Sequence, residues 1–172
     1  MNNSDLFNSV IYSKSSDNKN RYALGTKGVN PLCCLGINPS TATPDKYDPT
    51  VTRVKNIAFK NGYDSHIMFN IYPLRSTDPR NLPQEIDYEE HTKNINVILE
   101  LIKDGYTIWA AWGDLIESRD YLKKCGNDIM SAIGMSKKNI RWVKMGELTK
   151  KGNPRHPLYV YQESFSEWCF KI

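Results

Sequence analysis

Two hydrophobic patterns alternate along this chain: short unbroken apolar runs, and stretches whose apolar positions recur every three or four residues. The run Pro31 to Ile37 (PLCCLGI) is continuous and closes in turn residues, which predicts a buried strand. From Pro49 to Gly62 the apolar residues fall at Val51, Val54, Ile57 and Ala58. Proline at one end and glycine at the other punctuate a helix there. Ser65 to Tyr72 (SHIMFNIY) reads as a second strand. Tyr88 to Lys103 reads as a longer helix with Ile95, Ile98, Leu99 and Ile102 on one face, stopped by Gly105. Tyr106 to Trp112 (YTIWAAW) and Ile140 to Met145 (IRWVKM) predict third and fourth strands. Between them a helical stretch runs from about Leu115 to Cys125 and resumes towards Ile133. The first twenty residues are polar, end in KSSDNKN, and form either an arm or an edge hairpin.

Strands alternating with helices predict an α/β fold with a mostly parallel sheet, whose functional loops lie beyond the carboxyl ends of the strands. At 172 residues, with no internal repeat or low-complexity linker, the whole chain reads as a single domain. No apolar run approaches a membrane span, and the opening MNNSDLFNSV has neither a basic nor an apolar leader region. A cytoplasmic protein with no membrane partner is therefore expected. Cys33, Cys34, Cys125 and Cys169 lack CxxC spacing and read as buried reduced thiols rather than metal ligands.

Charge changes the picture more than composition does. The net charge is only +4, yet residues 76–120 carry ten Asp and Glu against four Lys and Arg. Residues 137–156 reverse this, with Lys137, Lys138, Arg141, Lys144, Lys150, Lys151 and Arg155 against Glu147 alone. A basic segment of this kind suits phosphates, although a solvated lysine-rich surface looks the same.

Candidate chemistry sits at the four predicted strand ends: GINPS at residues 36–40, FNIYPLR at 69–75, AWGD at 111–114, and NPRHPL at 153–158. Each has a plainer reading as a turn, a core amide, a packed tryptophan or a surface histidine. Their shared placement on one rim argues for a site. No Gly-rich phosphate loop and no serine nucleophile elbow is present. His66 and His91 lack metal-ligand spacing, and His91, among Glu89, Glu90 and Lys93, is expected on a solvated helix face. No metal or cofactor is expected.

These residues resemble the uracil-DNA glycosylase superfamily. Its water-activating motif after the first core strand matches Gly36, Ile37, Asn38 and Pro39. Its base-reading asparagine matches Asn70, its WG-containing strand matches Trp112 and Gly113, and its late His-Pro loop matches His156 and Pro157. More specifically, the chain is similar to an uncharacterised bacterial and phage family marked by NPST, DPT, N-x-x-x-x-R-x-T-D-P, AWG and G-x-P-R-H-P-L-Y.

The resemblance implies a three-layer αβα sandwich around a central four-stranded, mostly parallel sheet, and hydrolysis of the N-glycosidic bond of a base flipped out of DNA. It implies His156 as the donor that stabilises the leaving base, braced by Pro154 and Pro157. Asn70 would read the pairing edge, with Ile37, Ser40 and Tyr72 completing the base pocket. Leu158 or Tyr159 would fill the vacated stack. Arg155, Lys150, Lys151 and Arg75 would hold phosphates of single- or double-stranded DNA.

Two departures follow. Uracil-specific members carry Asp where this chain has Asn38, and an amide can position a water but not deprotonate it. Asp48, or Asp45 behind it, is the alternative carboxylate, though Asp48 before Pro49 is equally a helix cap. Those members also place an aromatic against the pyrimidine C5 where this chain has Ser40, which implies tolerance of 5-modified pyrimidines and a role in defence against phage with modified DNA. The expected protein is a monomeric, monofunctional DNA glycosylase. The alternatives are a non-catalytic nucleic-acid-binding module of the same fold and a nucleoside or nucleotide N-glycosidase.

Overall fold

The computed structural model describes residues 9–161 and 164–169. Seven strands form one sheet: β1 (Val10–Lys14), β2 (Arg21–Thr26), β3 (Pro31–Gly36), β4 (Ser65–Asn70), β5 (Thr107–Ala110), β6 (Arg141–Met145) and β7 (Phe165–Glu167). Their spatial order is β1-β2-β4-β3-β5-β6-β7. The pairs β4–β3, β3–β5 and β5–β6 are parallel, whereas β1–β2, β2–β4 and β6–β7 are antiparallel.

This corrects the expected four-stranded, mostly parallel sheet: the sheet is seven-stranded and mixed. The alternation of strand and helix patterns marks only parallel crossover units, so it could not register the antiparallel additions at either side. At one side β1 and β2 form an edge hairpin across the polar segment at residues 15–20. An arm at residues 1–8 lies outside the described residues. At the other, β7 spans only three residues, too few to show a period.

Helix α1 (Pro49–Lys60) covers one face of the sheet; α2 (Tyr88–Leu101) and α3 (Asp120–Met135) cover the other. Val51, Val54, Ile57 and Ala58 of α1 pack with Leu24, Leu32, Cys34, Met68, Trp109 and Val143. Ile98 of α2 and Leu122, Cys125, Ile129 and Ile133 of α3 pack with Cys33, Leu35, Ile67, Phe69 and Ile108. The adjacent Cys33 and Cys34 thus serve opposite layers, as the twofold period of a strand requires. Cys33, Cys34 and Cys125 are buried free thiols; Cys169 is exposed, contrary to the expectation for it.

His91 is not on a solvated face. It is 3% exposed and lies on one stripe with Asn94 and Ile98, at i, i+3 and i+7, against α3. Its Nε2 sits 3.2 Å from Asp128 Oδ2. The flanking charges concealed this because neighbours in sequence point to different sides of a helix. No described helix is long and apolar enough to cross a membrane.

Candidate functional site

The parallel strands all end on one rim, where β3 and β4 finish in register with Gly36 beside Asn70. A Cβ on Gly36 would lie 2.6 Å from Met68 Cε and 3.1 Å from Asn70 Oδ1. A side chain there would press first on the end of Met68 and then on the Asn70 amide, so glycine leaves both in place. The Asn70 backbone carbonyl accepts a 2.8 Å hydrogen bond from Asn94 Nδ2, which fixes the strand end from below. Its side chain is 1% exposed, yet neither Oδ1 nor Nδ2 has a partner. Such groups are normally satisfied, and leaving one orphaned costs about 1–3 kcal/mol.

Asn70 lines a cavity of about 330 Å³ shared with Arg21, Ile37, Asn38, Ser40, Asp48, His156, Leu158 and Tyr159. That volume lies at the lower end of the roughly 300–1,000 Å³ typical of small-ligand sites. Leu115, Leu158 and Tyr159 are 40%, 45% and 63% exposed and give the cavity an apolar rim.

His156 reaches the cavity from a loop held at several points. Gly113 N–H donates to the Pro154 carbonyl at 2.9 Å, and a Cβ on Gly113 would come within 3.2 Å of His156 Cβ. Gly113 also has φ +67°, so glycine answers both needs. Asp114 accepts from Thr149 Oγ1 and Asn153 Nδ2, at 2.5 and 2.9 Å, tying the loop to the end of β5. Burial pulls the His156 imidazole down to about 4, with Asp48 pulling weakly the other way, so the ring is neutral near pH 7. Its Nδ1 accepts from the Leu158 N–H at 3.4 Å, which leaves the proton on Nε2. The result is a neutral imidazole with a free N–H donor.

Asn38 is oriented by three carbonyls. Its Nδ2 donates to Pro39, Leu74 and Ser76 at 3.0, 3.3 and 2.9 Å, which leaves Oδ1 as a free acceptor. Asp48 caps α1, its Oδ1 accepting from Val51 N–H at 2.9 Å, so the capping role is present in a residue that also lines the cavity.

The structure therefore brings Ile37, Asn38, Ser40, Asp48, Asn70, His156, Leu158 and Tyr159 to one cavity. Other residues expected in the site go elsewhere. Tyr72 is a core residue whose hydroxyl accepts from Asp87 N–H at 3.0 Å, because it follows the strand end by two positions and turns to the opposite layer. Arg75 clamps the loop after β3, donating to the Ser40 and Ala42 carbonyls at 2.6 and 3.2 Å.

The basic segment is largely spent on structure as well. Lys138 Nζ reaches the Leu99 and Ile102 carbonyls at the end of α2. Arg155 Nε donates to the Glu147 carbonyl at 2.8 Å, and Lys151 pairs with Glu117 at 3.4 Å. Lys150 is exposed and free.

Two cavity residues carried no sequence signal. Arg21 opens β2, outside every predicted element, and is 1% exposed. Leu115 belongs to a short 3-10 turn after β5 and looked like an ordinary helix position.

No curated protein and no solved structure matches this chain. A family model matches residues 21–158, from the buried Arg21 to the rim residue Leu158, and the chain belongs to that family, described as "Protein of unknown function (DUF1643)".

Proposed function

We propose that this protein hydrolyses the N-glycosidic bond of a pyrimidine base swung out of DNA, leaving an abasic site. The observation that carries the reading is the orphaned Asn70 amide sharing one cavity with the neutral His156. An amide with both polar atoms unpaired is complementary to the donor and acceptor pair on a base edge. The broken bond leaves its electrons on the base. The His156 Nε2–H is a fixed donor for the base carbonyl that takes up this charge, and such a donor acts mainly in the transition state. Water adds to the sugar carbon, positioned by Asn38 Oδ1, and its proton leaves to Asp48 or to the departing base. Leu115, Leu158 and Tyr159 supply an apolar rim on which the exposed neighbouring bases stack.

Ser40 leaves room where an aromatic would crowd the pyrimidine C5, so the preferred substrate carries a 5-substituent. Incubation with unmodified, deaminated and 5-modified oligonucleotides, followed by alkaline cleavage, tests the reaction. Strand breaks on the 5-modified duplex or single strand are expected, and Ser40→Tyr should lose that substrate first.

A second reading rests on a separate observation. Asn38 cannot remove a proton, and the Asp48 carboxylate is already engaged as a helix cap. A module that binds a flipped base without cleaving it fits those facts. Tight binding of the same oligonucleotides with no abasic product would decide for it.

A further inference from the structure

Arg21 is among the largest fully buried side chains of the protein and lines the cavity. Its Nη1 donates to the Ala42 carbonyl at 3.2 Å, and its Nε has no partner. A guanidinium carries five N–H donors, so this one is far from satisfied. No carboxylate lies within ion-pair distance among the described residues. The charges that act on it are Arg75, which shares the Ala42 carbonyl, and Asp48, whose Oδ1 is taken by the helix cap. Burial and Arg75 pull the Arg21 guanidinium down to about 10, which still leaves it cationic near neutral pH. Two guanidiniums against one carboxylate leave surplus positive charge beside the buried Arg21, and a buried cation is costly unless something compensates it.

The surrounding groups suit an anion. Ser40, Thr41, Ser76 and Thr77 line the same cavity and also a hollow on its Arg75 side. Hydroxyls supply donors of adjustable direction beside the rigid guanidinium fork, and that fork matches the paired oxygens of a carboxylate or phosphate.

We infer that the Arg21 wall of the cavity binds an oxyanion group, carboxylate or phosphate, carried by the ligand. The inference rests on the reading above only in taking this cavity as the ligand site. It adds that the ligand is charged where it meets Arg21, Thr41 and Thr77. Arg21 would then fix the ligand's orientation through that charge, while Asn70 and His156 address the base.

Calorimetric titration of the full chain tests this with free 5-carboxyuracil, its neutral counterpart 5-methyluracil, and inorganic phosphate. At least one charged probe should bind about tenfold or more tightly than 5-methyluracil, the scale of a charge-assisted hydrogen bond. Preference for 5-carboxyuracil places the anion on the base; preference for phosphate places it on the nucleotide backbone or a free nucleotide. Arg21→Gln should abolish the preference, and Arg21→Lys should retain part of it. Equal or absent binding of charged and neutral probes by the wild type overturns the inference, as does a preference that survives in a folded Arg21→Gln protein. Should Arg21→Gln fail to fold, the wild-type comparison alone decides. Because the readout is binding, a negative abasic-site assay leaves this inference standing, and a positive one does not establish it.

Discussion

The cavity wall and the basic loop at residues 147–156 meet at His156, yet they treat polar groups in opposite ways. In the loop, Arg155, Asn153, Thr149 and Lys151 are bonded to carbonyls or carboxylates of the protein itself. In the cavity, Asn70 has no side-chain partner, the Arg21 Nε has none, and Asn38 Oδ1 and His156 Nε2 are free. A sequence scan ranks the two the other way, since the loop is rich in charge and the cavity carries little. Paired charge is scaffold, and unpaired polarity that lines a cavity is what a ligand can meet.

His156→Ala should break the comparison most severely. Loss of a fixed donor of this kind costs on the order of 100-fold in rate, with little change in thermal stability, read from abasic-site formation under single turnover. A variant within a few fold of wild type would remove His156 from the chemistry.

Next in size is Asn70→Leu, a change of similar shape that removes an orphaned buried amide. It should raise the free energy of unfolding by about 1–3 kcal/mol in a denaturant titration while abolishing base binding. Loss of stability instead would show that Asn70 has a structural partner and that the cavity is not under-satisfied.

Asp48 separates its two roles by two substitutions. Asp48→Ala should cost about 1 kcal/mol by losing the cap of α1, whereas Asp48→Asn keeps that cap almost intact. Activity lost in both variants would make Asp48 the group that takes the water's proton. Activity kept in Asp48→Asn confines it to capping.

The smallest effect is expected from the loop. Lys150→Ala removes an exposed, unpaired cation and should lower the slope of log affinity against log salt by about one at most. Lys151→Ala should change that slope less, because Lys151 is paired with Glu117. A large loss from either would restore the basic segment as the main DNA contact.

The cores of the four parallel strands and of α1 and α2 were legible in the sequence, because each combines a strong local period with turn or capping residues at its ends. The β1–β2 hairpin was legible only as one of two alternatives for the polar first twenty residues, and β7 not at all, since an edge hairpin and a three-residue strand take their identity from the neighbour they pair with. The motif residues at strand ends could be placed on one rim because parallel strands all finish on the same side. Tyr72 and Arg75 were misplaced by the same reasoning. They follow Asn70 by two and five positions, where the chain has left the strand and its direction is set by contacts with Tyr12, Ser40 and Asp87.

By itself, then, the sequence determined that Gly36, Asn38, Asn70, Gly113 and His156 end or follow successive elements of one layered fold. Only the tertiary structure decided which polar groups go unpaired. Pairing depends on where every neighbouring donor and acceptor comes to rest, and no local pattern encodes that. For the same reason Arg21, with no motif around it, emerges as a buried cation on the cavity wall, and the conspicuous lysines and arginines of residues 137–156 prove mostly to be fastened to the fold.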